Sequence, residues 1–145
     1  MTECKKIFID TAPFIYYIEE SKDNPRYCNQ VQGFFADCYR KDVVLITSTI
    51  TLEEYCVMPY RVGELQRIVL FQKLLFSMGV EVIGIDDKIA DKAAQIRAEY
   101  SKFKAMDALQ LATACLTECD LFLTNDRQLR QFGEINVVTV DKLPV

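Results

Sequence analysis

The sequence predicts an α/β fold, a three-layer α/β/α sandwich with a central, mostly parallel five-stranded sheet. Short apolar runs of the kind that forms buried strands recur along the chain, beginning with Ile7-Phe8-Ile9. Helical patterns separate these runs, and a helix between two strands indicates a right-handed crossover to a parallel neighbour. Because the 145 residues contain no repeat, low-complexity segment or linker, residues 1–145 are expected to form a single domain.

The expected elements follow from capping and breaking residues. Pro13 stands in the first turn of the first helix. Ser48 and Thr49 are expected to cap a third helix that ends near Pro59, and Gly79 is expected to end the fourth. The predicted strands are residues 7–9, 43–46, 80–85, 121–123 and 137–140. The predicted helices are 12–20, 26–39, 49 to about 59, 62–78, 86 to about 100 and 105–118, with a polar turn at 21–24 and a short helix after Asn125.

The composition excludes several kinds of active site. The chain contains no histidine, so it cannot form a Ser-His-Asp triad, a Cys-His dyad or a histidine-bound zinc site. Its six cysteines form no CxxC pair, which is typical of reduced thiols in the cytoplasm. No secretory signal pattern and no apolar run near the roughly 20 residues of a membrane span is present, so we expect a cytoplasmic protein without a membrane partner. Hydrolytic chemistry would have to use carboxylates, thiols, lysines or oxygen-bound metal ions.

The net charge of −4 argues only weakly against a polyanionic partner. If four of the 21 acids hold metal ions, the remaining 17 balance the 17 lysines and arginines. Bound divalent cations would then make the local field positive.

Four acids occupy comparable places in the predicted fold. Asp10 follows the first strand, Asp126 follows the fourth, and Glu54 and Asp107 lie near the starts of helices. Because the carboxyl ends of parallel strands share one edge of the sheet, we expect these acids to meet there. Clustered carboxylates repel one another without a counterion, and hard oxygen ligands suit Mg²⁺ or Mn²⁺. Two such ions about 4 Å apart can activate water for phosphodiester hydrolysis. Neutral polar groups that could orient ligands or water beside the acids are Thr11, Thr124 and Asn125.

Each acid also has a purely structural interpretation. Asp10 and Asp126 are favoured helix N-caps, and Asp107 is an acid in a first helical turn, where the helix dipole stabilises it. Glu54 could complete a capping box with Thr51. Taken one at a time these interpretations are at least as strong as the functional one, and for Asp10 the cap is the stronger, but a coincidence of four at one edge favours a shared site.

The choice between two adjacent glutamates rests on helical spacing. Glu54 shares its face with Ile50, Val57 and Met58, an apolar stripe. Glu53 shares its face with Thr49 and Tyr60, which is typical of a solvent side. The spacing therefore favours Glu54 as the functional acid, and Glu53 stays open as the alternative.

Four segments, in this order and spacing, resemble PIN domains and specifically the VapC-type toxin ribonucleases. They are Ile9-Asp10-Thr11 with Tyr16-Tyr17, Ser48 to Glu54, Asp107 to Ala114, and Leu123 to Asp126, so the resemblance covers nearly the whole chain. It implies a single PIN-like domain over residues 1–145 and a Mg²⁺- or Mn²⁺-dependent endoribonuclease acting on RNA. It further implies the toxin of a type II toxin–antitoxin pair, homodimerisation and a small antitoxin protein as partner. Carried over by position, the catalytic and metal-binding acids are Asp10, Glu54, Asp107 and Asp126, supported by Thr124 and Asn125.

Two positions depart from the family pattern. Family members often have a further acid two residues past the last aspartate, followed by Phe, whereas this chain has Gln128 and Leu129. A second metal would then be held more weakly, and operation with one metal becomes an option. Glu53 is an extra acid where the family commonly has a small residue. Two alternatives therefore stay open, a catalytically impaired PIN-like RNA-binding or regulatory module and a structure-selective DNA nuclease.

Several basic and aromatic side chains are candidates for RNA binding, although each basic residue alone could equally be an ordinary solvated charge. Lys104, three residues before Asp107, is the strongest candidate for a phosphate contact. The Tyr16-Tyr17 pair could stack on bases, although Tyr17 falls on the apolar stripe of the first helix. The further basic candidates are Lys5, Lys6, Lys102, Arg127 and Arg130.

The segment from Glu54 to Met78 contains more apolar residues than one buried helix face needs. It could form a dimer or antitoxin surface, or it could be buried within the monomer. The residues concerned are Val62, Leu65, Val69, Leu70 and Phe76.

Overall fold

A computed structural model describes residues 4–19 and 24–144. Its strands are β1 (Lys6–Ile9), β2 (Val44–Ser48), β3 (Glu81–Ile83), β4 (Leu121–Thr124) and β5 (Asn136–Thr139). Its α-helices are α1 (Thr11–Glu19), α2 (Pro25–Arg40), α3 (Thr49–Val62), α4 (Leu65–Ser77), α5 (Asp87–Glu99) and α6 (Ala105–Leu116). Two short 3₁₀ helices cover Arg127–Gln131 and Val140–Lys142.

The five strands form one sheet in the order β3-β2-β1-β4-β5, and every neighbouring pair is parallel. The central strand is β1, in which Phe8 lies in register with Ile46 of β2 on one side and with Phe122 of β4 on the other. The chain builds outward from β1 to β3 and then crosses back to β4. Strand order therefore reverses between β1 and β4, and such a switch point opens a crevice at the carboxyl ends of the strands.

Apolar side chains on both faces of the sheet explain the two helical layers. In β1, Phe8 points to one face and stacks on Phe122 with ring centroids 5.0 Å apart. That face packs against α5 and α6. Ile7 and Ile9 point to the other face and pack with α1, α2, α3 and α4. The predicted three-layer sandwich is thus confirmed, and its sheet is entirely parallel in the part of the chain described.

The third helix is longer than its sequence predicts. It runs through Pro59 to Val62, so the predicted end near Pro59 is wrong. Proline removes one backbone donor but does not force a helix to end when packing holds it, and Pro59 lies on the buried face of α3. The helix ends instead at Gly63, whose φ of 73° is a left-handed conformation that glycine adopts without strain. The fourth helix accordingly begins at Leu65 and not at residue 62.

The other boundaries agree with the prediction to within a few residues. The predicted third strand, 80–85, is shortened to β3. The predicted end of the first helix at residue 20 and most of the polar turn at 21–24 lie outside the described residues. Within the described ranges, no helix combines the length and the apolar character needed to cross a membrane.

Candidate active site

Asp10 lies in the crevice between the ends of β1 and β4, with three donors on its carboxylate. The backbone N–H of Thr11 donates to Oδ1 at 2.8 Å, and the amide Nε2 of Gln110 donates to the same oxygen at 3.2 Å. The Thr124 hydroxyl donates to Oδ2 at 2.8 Å. Burial raises the pKa of Asp10 in spite of these hydrogen bonds, and the charge of Asp126 raises it further. All three donors are neutral groups, so they hold the carboxylate in place without neutralising its negative charge.

Glu54 reaches the same crevice from α3. The hydroxyl of Thr11, at the start of α1, donates to Glu54 Oε1 at 2.7 Å. Burial, with the charges of Asp10 and then Glu53, raises the pKa of Glu54. Asp10 contacts Thr124 at the edge of the sheet, and the next residue in the chain, Thr11, contacts Glu54 of α3.

The structure corrects both sequence arguments about Glu54. Ser48 and not Thr51 caps α3, since the Ser48 hydroxyl accepts the Ile50 N–H at 3.1 Å, so the capping-box interpretation is wrong. The face of Glu54 is not a buried stripe either, because Met58 is 51% exposed. Both adjacent glutamates are exposed overall, and what distinguishes Glu54 is its carboxylate contact with Thr11.

Asp107 and Asp126 complete the cluster. Asp107 lies in the first turn of α6, as predicted. Burial, followed by the charges of Asp10, Asp126 and Glu54, raises the pKa of Asp107 to about 6. Asp126 caps the following 3₁₀ helix by accepting the Gln128 N–H at 3.0 Å. Asp126 is therefore both the cap of the 3₁₀ helix and a member of the acid cluster.

The supporting polar residues predicted beside the acids also lie at this edge. Thr124 is 1% exposed, and besides contacting Asp10 its oxygen accepts the N–H of Asp126 at 3.1 Å. Asn125 donates to the Tyr16 hydroxyl at 2.5 Å. The Tyr16 ring lies 5.1 Å from that of Tyr27, centroid to centroid.

The acid set fits a divalent cation by its chemistry. All four candidate ligands are carboxylates, the donors that Mg²⁺ and Mn²⁺ prefer, and their mutual repulsion is what a cation would relieve. A carboxylate has about four lone-pair sites, and the Asp10 carboxylate uses three of them to accept hydrogen bonds from its neighbours. Among the described residues, however, no three acidic, cysteine or histidine side chains are grouped closely enough to ligate one ion together. Binding would therefore require the other acids to rotate toward Asp10, whose carboxylate is held by three hydrogen bonds.

Four of the six thiols are poor candidates for an alternative nucleophile. Burial raises the pKa of Cys38 and Cys115 to about 11, and it raises that of Cys56 and Cys119 as well. A thiol with a raised pKa is protonated at neutral pH and is a weak nucleophile. Carboxylate-based chemistry remains the best-supported option.

The basic candidates divide between the two ends of the sheet. Lys104 is exposed at the start of α6, where its charge offsets part of the rise that burial and the neighbouring acids cause in the Asp107 pKa. Lys5 and Lys6 lie at the amino end of β1, where the Lys6 ammonium donates to the Thr117 carbonyl at 3.0 Å. A four-residue strand spans about 13 Å, so these two lysines lie at the end of β1 opposite to Asp10. Their contact with RNA stays a prediction.

A buried polar network beneath the acids was missed in the sequence. Gln110 of α6 is 1% exposed and contacts Ser48 and Thr51 as well as Asp10. The feature of the sequence that could have indicated this role is the spacing between Gln110 and Asp107. Gln110 follows Asp107 by three residues, which places both on one face of the helix.

The fold and the carboxylate cluster define a parallel α/β protein with an acidic crevice at its switch point. The family model described as PIN domain matches residues 7–135. The match covers most of the chain, so this protein belongs to the PIN domain family, as its motifs predicted. A comparison with curated proteins found no significant match.

Solved toxin–antitoxin structures share this fold. One is a toxin–antitoxin complex from Klebsiella pneumoniae, at 24% identity and a TM-score of 0.64, covering 92% of this chain and 97% of that one. Another is DNA-bound VapBC from Salmonella typhimurium, at 20% identity and a TM-score of 0.71, covering 93% and 98%. A third is a sarcin-ricin loop cleaving VapC toxin from Mycobacterium tuberculosis, at 16% identity and a TM-score of 0.64, covering 90% and 98%. At these identities the likeness establishes the fold alone.

Proposed function

We propose that this protein is a divalent-metal-dependent endoribonuclease and the toxin of a type II toxin–antitoxin pair, acting in the cytoplasm. The observation that carries the proposal is the meeting of four acids at one edge of the sheet, where burial and then the charges of Asp10, Asp126 and Glu54 raise the pKa of Asp107. In a PIN domain without histidine, such a cluster is the best-supported means of phosphodiester hydrolysis.

In this proposal each group at the crevice has a distinct task. Asp10, Glu54, Asp107 and Asp126 would hold Mg²⁺ or Mn²⁺. A bound cation would supply the positive charge that favours attack by water on phosphorus and stabilises the departing oxygen. Thr11 and Thr124 orient two of these carboxylates through their hydroxyls. Exposed Lys104 would bind a neighbouring phosphate of the substrate backbone.

The test of the proposal is a comparison of two substrates of the same sequence. We expect the purified protein with Mn²⁺ to cut a single-stranded RNA and to leave the corresponding DNA intact, and we expect excess EDTA to stop the reaction. Cutting of DNA alone would favour the structure-selective DNA nuclease instead. Absence of Mn²⁺ binding at millimolar concentration would favour the catalytically impaired binding module, for which Gln128 in place of an acid is the specific support.

The antitoxin partner is part of the same proposal. Solved structures of similar fold are named as toxin–antitoxin complexes, and a toxin–antitoxin pair needs a small protein that binds and inhibits the nuclease. An exposed apolar surface is the feature expected of a chain that binds another protein. This chain has one on α3 and α4. The residues singled out in the sequence, Val62, Leu65, Val69, Leu70 and Phe76, are between 47% and 89% exposed.

We further propose that the stripe Leu65, Val69 and Phe76 of α4 forms a homodimer contact. These three residues share one helix face, next to the buried face formed by Ile68 and Leu75. Wild-type protein should sediment at twice the chain mass, and Val69→Glu should shift it to the monomer because a buried unpaired charge is costly. Gln95→Glu adds the same charge at an exposed position of α5, in the opposite helical layer, and should leave the dimer intact. A monomeric wild type would refute the contact.

A further inference from the structure

Gln110 is unusual among the residues near the acids because all parts of its amide are engaged. Its side chain is 1% exposed. The amide nitrogen donates to Asp10 Oδ1 at 3.2 Å and to the Thr51 hydroxyl at 2.7 Å, and the amide oxygen accepts from the Ser48 hydroxyl. The amide therefore joins β1, β2, α3 and α6 at one point.

The hydroxyl protons of the network give the Gln110 amide a single orientation. Ser48 accepts the Ile50 N–H, so its own proton is available for the Gln110 oxygen. The Thr47 hydroxyl lies 2.8 Å both from the Ile9 carbonyl and from the Thr51 hydroxyl. Since a hydroxyl has one proton and a carbonyl can only accept, Thr47 donates to Ile9, and Thr51 supplies the proton between the two hydroxyls.

The consequence for Gln110 is that its amide cannot be reversed. A reversed amide would aim its NH₂ group at the Ser48 proton and its oxygen at Asp10, and it would leave Thr51 without its donor. Buried polar groups without partners are costly, so the network fixes which end of the amide faces the carboxylate. Asp10 thus receives a donor whose direction is set by groups that do not touch the crevice.

We propose that Gln110 is a positioning residue that holds the Asp10 carboxylate in the orientation for binding the metal. The proposal rests on the proposed function and extends it to a residue outside the acid set. Gln110 supplies a neutral donor, so it orients the carboxylate without cancelling the charge that attracts a cation. A lysine at this place could also donate to Asp10, but it could not accept the Ser48 hydroxyl proton, and its positive charge would compete with the metal.

The chain offers a matched control for a purely structural role. Gln30 of α2 is also 1% exposed and also bridges elements through its amide nitrogen, which donates to the Leu143 carbonyl at 2.8 Å. Gln30 belongs to α2 on the other helical layer and bonds to the C-terminal segment, and it makes no contact with the four acids among those described. Replacing either glutamine by methionine keeps the volume and removes the hydrogen bonds.

The experiment is calorimetric titration of Mn²⁺ into wild type, Gln110→Met and Gln30→Met, followed by RNA cleavage kinetics at saturating Mn²⁺. We expect Gln110→Met to bind Mn²⁺ about 10–100-fold more weakly, the usual cost of losing a partner of a metal ligand, and to lower kcat with little change in KM for RNA. Gln30→Met should bind Mn²⁺ as wild type does. A structural role predicts instead that both variants lose only thermal stability.

A second variant keeps the test decisive if Gln110→Met fails to fold. Thr51→Val is isosteric and removes one of the two anchors of the amide, and it should weaken Mn²⁺ binding in the same direction by a smaller factor. Wild-type affinity in folded Gln110→Met, or in Thr51→Val if the first variant is unfolded, would overturn the proposal. Because Mn²⁺ affinity is measured without RNA, a wild type that binds Mn²⁺ but cuts no RNA would refute the ribonuclease and leave the test of Gln110 intact.

Discussion

Replacing Asp126 by Asn should lower the rate of RNA cleavage by at least about 100-fold, since several kcal/mol of transition-state stabilisation depend on the charge of the acid set. Asp120→Asn should leave that rate within about threefold of wild type. The two aspartates flank the same strand, β4, but lie at its opposite ends. Asp126 follows the carboxyl end, beside Asp10, whereas Asp120 precedes the amino end and accepts the backbone N–H groups of Lys5 and Lys6 at 2.8 and 2.9 Å. Comparing the two variants therefore distinguishes the effect of losing any carboxylate from the effect of losing a carboxylate at the crevice.

The same pair of variants tests the toxin proposal in cells. Expression of the wild-type chain in a bacterial host should arrest growth, and so should expression of Asp120→Asn. Asp126→Asn should allow growth at the same protein level. A near-wild-type cleavage rate for Asp126→Asn in vitro would contradict the assignment of Asp126, because this residue would then be as remote from the chemistry as Asp120.

Asp107→Asn should stabilise the metal-free protein at neutral pH and remove most of its stabilisation by Mn²⁺. Burial and the charges of Asp10, Asp126 and Glu54 raise the Asp107 pKa from an ordinary 3.8 to about 6 in the folded state. The folded protein therefore binds a proton more tightly than the unfolded chain does. Stability from this group is greatest below about pH 4 and is lost as the pH rises to about 6.

The measurement is the thermal unfolding temperature between pH 4 and pH 7, with EDTA and then with Mn²⁺. In EDTA at pH 7 the variant should exceed wild type by on the order of 1 kcal/mol after solvent screening of this half-buried group, or about 3 °C, and the difference should shrink towards pH 4. Mn²⁺ should raise the unfolding temperature of wild type and leave the variant nearly unchanged, because only a protein that binds the ion gains stability from it.

Asp120→Asn provides a control of opposite sign. Hydrogen bonds from the backbone of Lys5 and Lys6 lower the Asp120 pKa. This group contributes stability above its ordinary pKa that is lost as the pH falls through the lowered value. The Asp120 variant should therefore be less stable than wild type at pH 7, with or without Mn²⁺. A metal-free Asp107→Asn that is also less stable at pH 7 would contradict the described repulsion among the acids.

The fold was predictable because its strands are short apolar runs with both faces buried. Ile7, Phe8 and Ile9 point alternately to the two helical layers, so a run without polar positions is what the sheet requires. The end of α3 was less predictable. Whether Pro59 ends a helix depends on packing that the sequence does not contain, while the glycine that does end it has a recognisable role.

The site was predictable as far as strand ends position it. Asp10 and Asp126 follow adjacent parallel strands, and that alone brings them to one edge. Glu54 was selected for the wrong reason, because its face of α3 is not buried and a contact with Thr11 draws its carboxylate inward. Such a contact joins residues 43 apart in the chain, and local periodicity cannot indicate it.

Gln110 was missed for a related reason. A glutamine inside the apolar run of α6 looks like an ordinary surface position until the neighbours of that face are known. Its partners Ser48 and Thr51 come from β2 and α3, and they create a polar pocket within an otherwise apolar layer. The buried network is therefore a product of tertiary packing, and only the three-residue spacing from Asp107 hinted at it.

The central claim is that four acids distant in sequence form one cation site, and titration calorimetry with Mn²⁺ tests it most directly. Wild type and Asp120→Asn should give the same saturable binding isotherm, whereas Asp107→Asn and Asp126→Asn should each bind at least about tenfold more weakly. Absence of Mn²⁺ binding to wild type at millimolar concentration, or equal binding by all four proteins, would contradict the claim.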